Sequence, residues 1–380
     1  MPRFLTEWKA GKIKDPIARL RYLQRKIGPG SIPALPPGTR WKAVSLLPAM
    51  ACLFIPGFKA SNTDDELLPP PMPHLTTPAV DVFTDVWLVE KTRDLETFSN
   101  GLNIDDRYAV SNEPRMPYPV FGRNEPNSGQ FVRTQPLRTQ PAGIVYHTTE
   151  SDQANFEENQ NGVLKRIGKE VLTFVKRNHC YHFVIDRFGQ VFRIVEESDI
   201  AYHAGNSVWA DANAIYVNLN ASFLGIAFET QTQPGDLPSA NPAQIHAARV
   251  LTQMLRSKYH IQESNCVTHA QVSVNPDNML VGYHTDWAGN FPFLEVGLND
   301  NYAAPPPSIY AFGFDYNPAF VHRTGVRLWQ GLALAEDQLR TQCAAQGLRL
   351  PQYRALLRKQ YKEIITTLKA ASAKEERHAT

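Results

Sequence analysis

Histidine is the residue type whose distribution first suggests a chemical site. Eight of the eleven histidines lie between residues 142 and 298. His147 ends an apolar, β-branched stretch at 143–146 and is followed by polar residues, and His269 ends a shorter apolar stretch. Asp286 comes 17 residues after His269. A side chain at the end of a buried strand is held rigidly yet opens onto a cleft, which suits a metal ligand.

Two imidazoles and one carboxylate are a common ligand set for Zn²⁺. A catalytic zinc site uses three protein ligands and leaves the fourth tetrahedral position for water, whereas a structural site is closed by four ligands. We therefore predict that His147, His269 and Asp286 bind one catalytic Zn²⁺. Taken one at a time, each histidine would more often be a core residue whose ring is satisfied by hydrogen bonds.

The elements that must position these residues alternate between strand and helix patterns. Apolar stretches at 143–146 and 223–228 predict buried strands, and 180–195 predicts a hairpin about a central glycine. Apolar residues at helical spacing predict helices over 161–178 and 242–259. This alternation predicts an α/β fold in which a mixed central β-sheet is flanked by helices.

Composition distinguishes residues 142–298, the central block, from the segments before and after it. We predict a catalytic domain at 142–298, preceded by an extension without an assigned role at 81–141 and a proline-rich linker at 57–80. Residues 299–380 begin with prolines and then show helical spacing, which predicts a helical C-terminal extension. Residues 1–56 form a basic segment that ends in a short apolar run.

The basic segment favours an envelope location. Residues 1–42 carry ten Lys and Arg against two acidic residues, and an uncharged apolar run follows at 43–54. The run is shorter than the ~20 residues of a membrane-spanning helix, but its length suits a signal-peptide core. A cleaved signal, an N-terminal anchor and a buried segment all remain open. We expect a periplasmic, secreted or membrane-anchored protein, with membrane association through this segment, rather than a cytoplasmic one.

Overall charge and cysteine content exclude several other classes. The net charge of +2 argues against a dedicated nucleic-acid-binding protein. The four cysteines are scattered and form no CxxC pair, which excludes a disulfide scaffold and a thiolate zinc ribbon.

Five segments of the central block resemble, in order, the motifs of the zinc-dependent N-acetylmuramoyl-L-alanine amidase family. Type-2 peptidoglycan amidases, phage amidases and peptidoglycan recognition proteins share its fold. The matching segments are 144–148 (IVYHT), 181–189 (YHFVIDRFG), 202–205 (YHAG), 224–229 (LGIAFE), and His269 together with 284–292 (HTDWAGNFP).

The resemblance implies an amidase that acts on peptidoglycan or its fragments. It would use Zn²⁺ to hydrolyse the amide between the lactyl group of N-acetylmuramic acid and L-alanine. The resemblance assigns the two histidines and the aspartate named above as zinc ligands. It also implies that Tyr181 and His284 are catalytic residues that stabilise the oxyanion, and that His203 contacts substrate.

Two positions depart from the family pattern. His284 replaces the family's catalytic lysine, and an imidazole with an unperturbed pKa of about 6.5 is only partly charged at neutral pH. Ala227 stands where many bacterial members carry a glutamate, and the resemblance does not assign that role to Glu229 two residues later. The branch of the family without this glutamate uses the tyrosine that corresponds to Tyr181.

The alternative function is a non-catalytic peptidoglycan-binding module on the same fold. Members that have lost hydrolysis typically lack a zinc ligand, whereas this chain keeps ligand-competent side chains at all three positions. The sequence therefore favours the enzyme.

Overall fold

The computed structural model describes residues 83–122, 137–232, 240–316, 320, 324 and 329–378. All of them fall in one of the two structural units of the chain, and the other unit, Ile32–Asp81, lies outside the described residues. The basic segment and apolar run predicted at 1–56 and the linker predicted at 57–80 also lie outside them.

The regular elements within the described residues are numbered here in chain order. The strands are β1 (Leu88–Lys91), β2 (Leu95–Phe98), β3 (Asn103–Asp105), β4 (Phe121–Gly122), β5 (Gly143–Thr148), β6 (Phe183–Ile185), β7 (Val191–Arg193), β8 (Val208–Ala210), β9 (Ala214–Val217), β10 (Phe223–Phe228), β11 (Cys266–Thr268), β12 (Val274–Asn275), β13 (Leu280–Val281) and β14 (Asp315–Tyr316). The helices are α1 (Asn161–Arg177), α2 (Pro242–Tyr259), α3 (His269–Val272), α4 (Phe293–Val296), α5 (Pro307–Tyr310), α6 (Gln330–Ala345) and α7 (Leu350–His378).

The main sheet is mixed, as the sequence predicts. Its strand order is β1-β2-β3-β7-β6-β10-β5-β11. The neighbours β6, β10, β5 and β11 run parallel, whereas β6 and β7 form the predicted antiparallel hairpin. Both central strands, β5 and β10, are buried along their whole length, which explains their continuous apolar sequences.

The two long helices of the central block cover this sheet. Helix α2 begins with Pro242 because Asn241 forms a capping box with Gln244, and it ends at Tyr259, as predicted. Its apolar face packs on alternate residues of β5, β6 and β10. Helix α1 ends at Arg177, within one residue of the prediction, and packs on the opposite side chains of β6 and β10.

The N-terminal extension adds strands to the same sheet. Strand β3 pairs in parallel with β7, and β2 and β1 follow outward as antiparallel neighbours. The buried guanidinium of Arg193 lies within 3.1 Å of carboxylate oxygens of Glu96, Asp106 and Glu197. Charged groups of the extension and of the central block therefore meet beneath this part of the sheet.

The C-terminal region, predicted to be helical, contains the two long helices α6 and α7. Apolar residues of both, including Leu332, Leu339 and Tyr361, pack in one core with residues of β8, β9, β13 and β14. A buried pair, Glu336 and Arg354, joins the two helices. No helix among the described residues is both long and apolar enough to cross a membrane.

Candidate metal centre

The register of two parallel strands brings two histidines together. Thr268 at the end of β11 pairs with Tyr146 in β5. The next residues along the two strands, His269 and His147, therefore emerge side by side at the carboxyl-terminal edge of the sheet. This edge is where open α/β sheets place their ligands.

The loop that carries Asp286 completes the cluster. The N–H of Ala270 donates to the main-chain carbonyl of Asp286 over 3.2 Å. Oδ2 of Asp286 lies 3.1 Å from Nδ1 of His147 and 3.1 Å from Nδ1 of His269. The ligand atoms of all three residues lie within 4.8 Å of one another. Bonds of about 2.0–2.2 Å in a tetrahedral zinc site separate ligand atoms by roughly 3.3 Å, so the spacing suits one ion.

The donor set also fits a divalent cation electrostatically. Burial, and after it the charge of His269, lowers the pKa of His147 to about 4, so its ring is neutral at pH 7. Burial alone would raise the pKa of Asp286, but the charge of His269 holds it well below its ordinary value. Nε2 of His147 contacts His203, which leaves Nδ1 to face the carboxylate. Acceptor atoms that converge in this way suit a bound cation.

Tyr181 lies against one of these ligands. Its ring centroid is 5.0 Å from that of His147. Burial raises the pKa of its hydroxyl, which therefore stays protonated and can donate a hydrogen bond. Its φ of +60° lies in the left-handed region, which costs about 1–3 kcal/mol for a residue other than glycine and is concentrated at functional sites.

His284 lies on the other side of the cluster. Its ring stacks on that of His269 with centroids 4.5 Å apart and planes 16° apart. Its backbone N–H donates to Oγ of Ser273 over 3.0 Å. Burial, and after it the charge of His269, lowers the pKa of His284. The structure thus brings both predicted catalytic residues next to the three predicted ligands.

His203 is a buried neighbour of one of the predicted ligands. The side chain is buried, and its Nδ1 lies 3.1 Å from Nε2 of His147. The predicted contact with substrate stays a prediction. His182 is also buried; its Nδ1 accepts the N–H of Gly225 and its Nε2 lies 3.2 Å from the carbonyl of Asp199.

Sequence reasoning missed the role of Trp287. Its buried indole N–H donates to the main-chain carbonyl of His147 over 3.0 Å. Trp287 directly follows Asp286. One loop therefore supplies a predicted ligand, Asp286, and a hydrogen bond to strand β5, which carries the predicted ligand His147. Adjacency to a ligand was the one signal available, and it is equally consistent with a tryptophan that stacks on substrate.

Glu229 makes its polar contacts with Arg187. The N–H of Arg187 donates to Oε2 of Glu229 over 3.2 Å, and the guanidinium Nε lies 3.7 Å from Oε1. Burial is the main cause that raises the pKa of Glu229 to about 7. Ala227, the position of the family's glutamate, pairs with His147 in the sheet and provides a methyl group only.

Comparison with known proteins agrees with this geometry. The family model described as N-acetylmuramoyl-L-alanine amidase matches residues 137–286. N-acetylmuramoyl-L-alanine amidase AmiD of Escherichia coli K12 is 34% identical over 89 residues, which are 22% of this chain and 31% of that protein. The match thus spans about a third of the length of this curated relative.

Several solved structures show a partial likeness. AmiD of E. coli, in complex with a muramyl peptide substrate, is 18% identical, with 55% of this chain and 93% of that chain covered and a TM-score of 0.35. AmpDH3 of Pseudomonas aeruginosa is 20% identical, with 45% and 64% covered and a TM-score of 0.32. The Drosophila peptidoglycan recognition protein SD is 17% identical, with 43% and 84% covered and a TM-score of 0.26.

The family match ends at the aspartate of the cluster and includes both of its histidines. This segment of the chain is therefore similar to the type-2 N-acetylmuramoyl-L-alanine amidase family.

Proposed function

We propose that this protein is a zinc-dependent N-acetylmuramoyl-L-alanine amidase. It would hydrolyse the amide between the lactyl group of N-acetylmuramic acid and L-alanine in peptidoglycan or its fragments. The observation that supports this most strongly is the convergence of His147, His269 and Asp286 within the segment that matches the family.

In this proposal the three residues of the cluster hold Zn²⁺ through two imidazoles and one carboxylate. When bound, zinc would lower the pKa of water from near 16 to about 7 and polarise the scissile carbonyl. The protein supplies the remaining groups. The protonated hydroxyl of Tyr181 donates a hydrogen bond to the oxyanion that develops on the carbonyl. His284, stacked beside a ligand, is the second candidate donor.

The proposal is tested by the release of new L-alanine amino termini from purified peptidoglycan. We expect release by the zinc-loaded protein, and its loss when a chelator removes the metal. Asp286→Asn should bind less zinc and release no termini, whereas Asp337→Asn, an exposed carboxylate on α6, should behave as wild type. Binding of peptidoglycan without release would instead support the non-catalytic binding module.

We also propose an envelope location, with peptidoglycan as the partner that this location supplies. The envelope location and the membrane association are both inferred from residues 1–56, in which a basic segment is followed by a short apolar run. Fractionation of cells into cytoplasmic, membrane and periplasmic portions tests it. Recovery of the protein in the cytoplasmic portion would contradict this location without affecting the proposed chemistry.

A further inference from the structure

A chain of hydrogen bonds runs from the sheet to the metal-facing side of His147. Nε2 of His203 lies 3.2 Å from the main-chain carbonyl of Phe223. A carbonyl only accepts, so Nε2 of His203 must carry the proton. Nδ1 of a neutral His203 is then an acceptor, and the N–H that it accepts, over 3.1 Å, is that of Nε2 of His147.

If these hydrogen bonds ran in the opposite direction, two acceptor atoms would face each other at Phe223. If Nδ1 of His203 held the proton, Nε2 and the carbonyl of Phe223 would be two acceptors 3.2 Å apart. His147 would then have to accept through Nε2, and the proton of its neutral ring would move to Nδ1. That nitrogen faces Asp286, where a metal ligand needs a lone pair.

The surroundings hold the ring of His203 in one place. The N–H groups of His203 and Ala204 donate to Oδ1 of Asn220 over 3.0 and 2.7 Å. The ring lies on Gly225 of strand β10, where an added Cβ would come within 2.6 Å of its Cγ. The glycine therefore provides the space that the imidazole occupies.

We propose that His203 is a positioning residue for the metal centre, acting through His147 rather than on substrate. It fixes the proton of His147 on Nε2 and so reserves Nδ1 for the metal. The inference depends on the proposed metal site, but not on the identity of the amide that is hydrolysed. Outer-shell partners of this kind typically change metal affinity by about 10–100-fold.

The affinity for Zn²⁺, measured by competition with a chromophoric chelator on the full-length protein, tests this role. His203→Leu removes the acceptor, and we expect Zn²⁺ to bind about 10–100-fold more weakly. His203→Asn keeps an acceptor near the position of Nδ1 and should recover most of the affinity. Equal affinities of wild type and His203→Leu would overturn the inference.

His182 provides the matched control. It is a buried histidine with two hydrogen bonds to main-chain groups, and its ring lies 5.7 Å from that of His203. We expect His182→Leu to lower the melting temperature while the affinity for Zn²⁺ stays within about twofold of wild type. An equal loss of affinity in both leucine variants would show general loosening of the fold and would contradict a specific role of His203.

A spectroscopic measurement on the wild-type protein needs no variant to fold. In ¹⁵N spectra of histidine-labelled, zinc-loaded protein, we expect a proton on Nε2 of His147 and none on Nδ1. A proton on Nδ1 would overturn the inference.

The failure of this inference and the failure of the proposed function can be told apart. Zn²⁺ binding without release of L-alanine termini would contradict the amidase proposal alone, whereas a wild-type protein that binds no Zn²⁺ would overturn both.

Discussion

At the scale of single residues, the site departs from the pattern of the family it resembles by the imidazole at position 284. A flat ring can stack on His269 as observed, whereas a lysine would place an ammonium group there on a flexible chain. The group is close enough to a ligand to affect the reaction without belonging to the ligand cluster. Measuring both kcat and zinc content in variants of His284 therefore separates its contribution to the reaction from any effect on metal binding.

We expect His284→Ala to lower kcat by about 100-fold, as the loss of one oxyanion donor does in comparable sites. His284→Lys restores a cationic donor and should stay within about tenfold of wild type. Zinc content should be equal in all three proteins. An unchanged kcat in His284→Ala would remove this residue from the catalytic machinery.

Tyr181→Phe should lower kcat by about 10²–10³-fold while zinc content is retained, because the variant loses only the hydroxyl that donates to the oxyanion in the proposed mechanism. Tyr353→Phe, a buried tyrosine of α7, serves as the control and should leave kcat unchanged. A similar loss of activity in both variants would point to a change in the fold rather than to the removal of a donor.

The raised pKa of Glu229 predicts that the stability of the fold depends on pH. Its pKa in the folded protein is raised to about 7, above that of the unfolded chain, so its ionisation destabilises the fold as the pH rises from about 4.5 to 7. Glu229→Gln removes this penalty. Relative to wild type, its free energy of unfolding should increase between pH 5 and pH 8 by on the order of 1–3 kcal/mol. A difference that stays constant over this range, in urea titrations, would contradict the raised pKa.

At the scale of elements, strand β10 has two tasks that its sequence combines. Its apolar side chains fill the core, and Gly225 leaves room for a buried imidazole. Such a glycine cannot be recognised from the strand pattern, because the residue that fills the space lies 22 positions away, at His203. The resemblance of residues 224–229 to a family motif locates the glycine but does not explain why it is needed.

Gly225→Ala should therefore disturb the site through the strand. The added methyl would displace the ring of His203, so we expect both the melting temperature and the affinity for Zn²⁺ to decrease. Gly162 on α1 is the control, because a Cβ added there meets nothing within 4 Å. If Gly225→Ala bound Zn²⁺ as tightly as Gly162→Ala, the glycine would not be needed to seat the imidazole.

The elements that the sequence predicts well are those with a strong period or a continuous apolar run. Strands β5 and β10 and helices α1 and α2 belong to this group. Strands β1 to β3 do not, because each has only three or four residues and β1 is exposed along its whole length. The ligand cluster could be predicted from the sequence because two of its motifs lie at the ends of neighbouring strands. The orientation of His203 could not, because it depends on the tertiary packing of its loop.

At the scale of the whole molecule, the N-terminal extension is tied to the central block by charge. Arg193 is 4% exposed and lies within 3.1 Å of three carboxylates, two of which, Glu96 and Asp106, belong to the extension. Removing the cation would leave these carboxylates buried without their main partner. Such a loss costs about 3–5 kcal/mol in comparable buried networks.

We expect Arg193→Leu to lower the free energy of unfolding by about that amount in a denaturant titration. Arg166→Leu breaks an exposed pair with Glu170 on α1 and should change it by less than about 0.5 kcal/mol. If the two variants were equally stable, the buried network would not hold the extension to the sheet.

The tail of the chain also reaches the ligand loop. Trp329, at the start of α6, donates its indole N–H to the carbonyl of Ala288 over 2.8 Å, two residues beyond Asp286. The segment that matches the amidase family model ends at that aspartate, so a protein trimmed to this segment would lack the Trp329 contact that supports the loop of the proposed ligand Asp286. Proteolysis near Trp329, downstream of the matched segment, is therefore expected to weaken zinc retention at the proposed site.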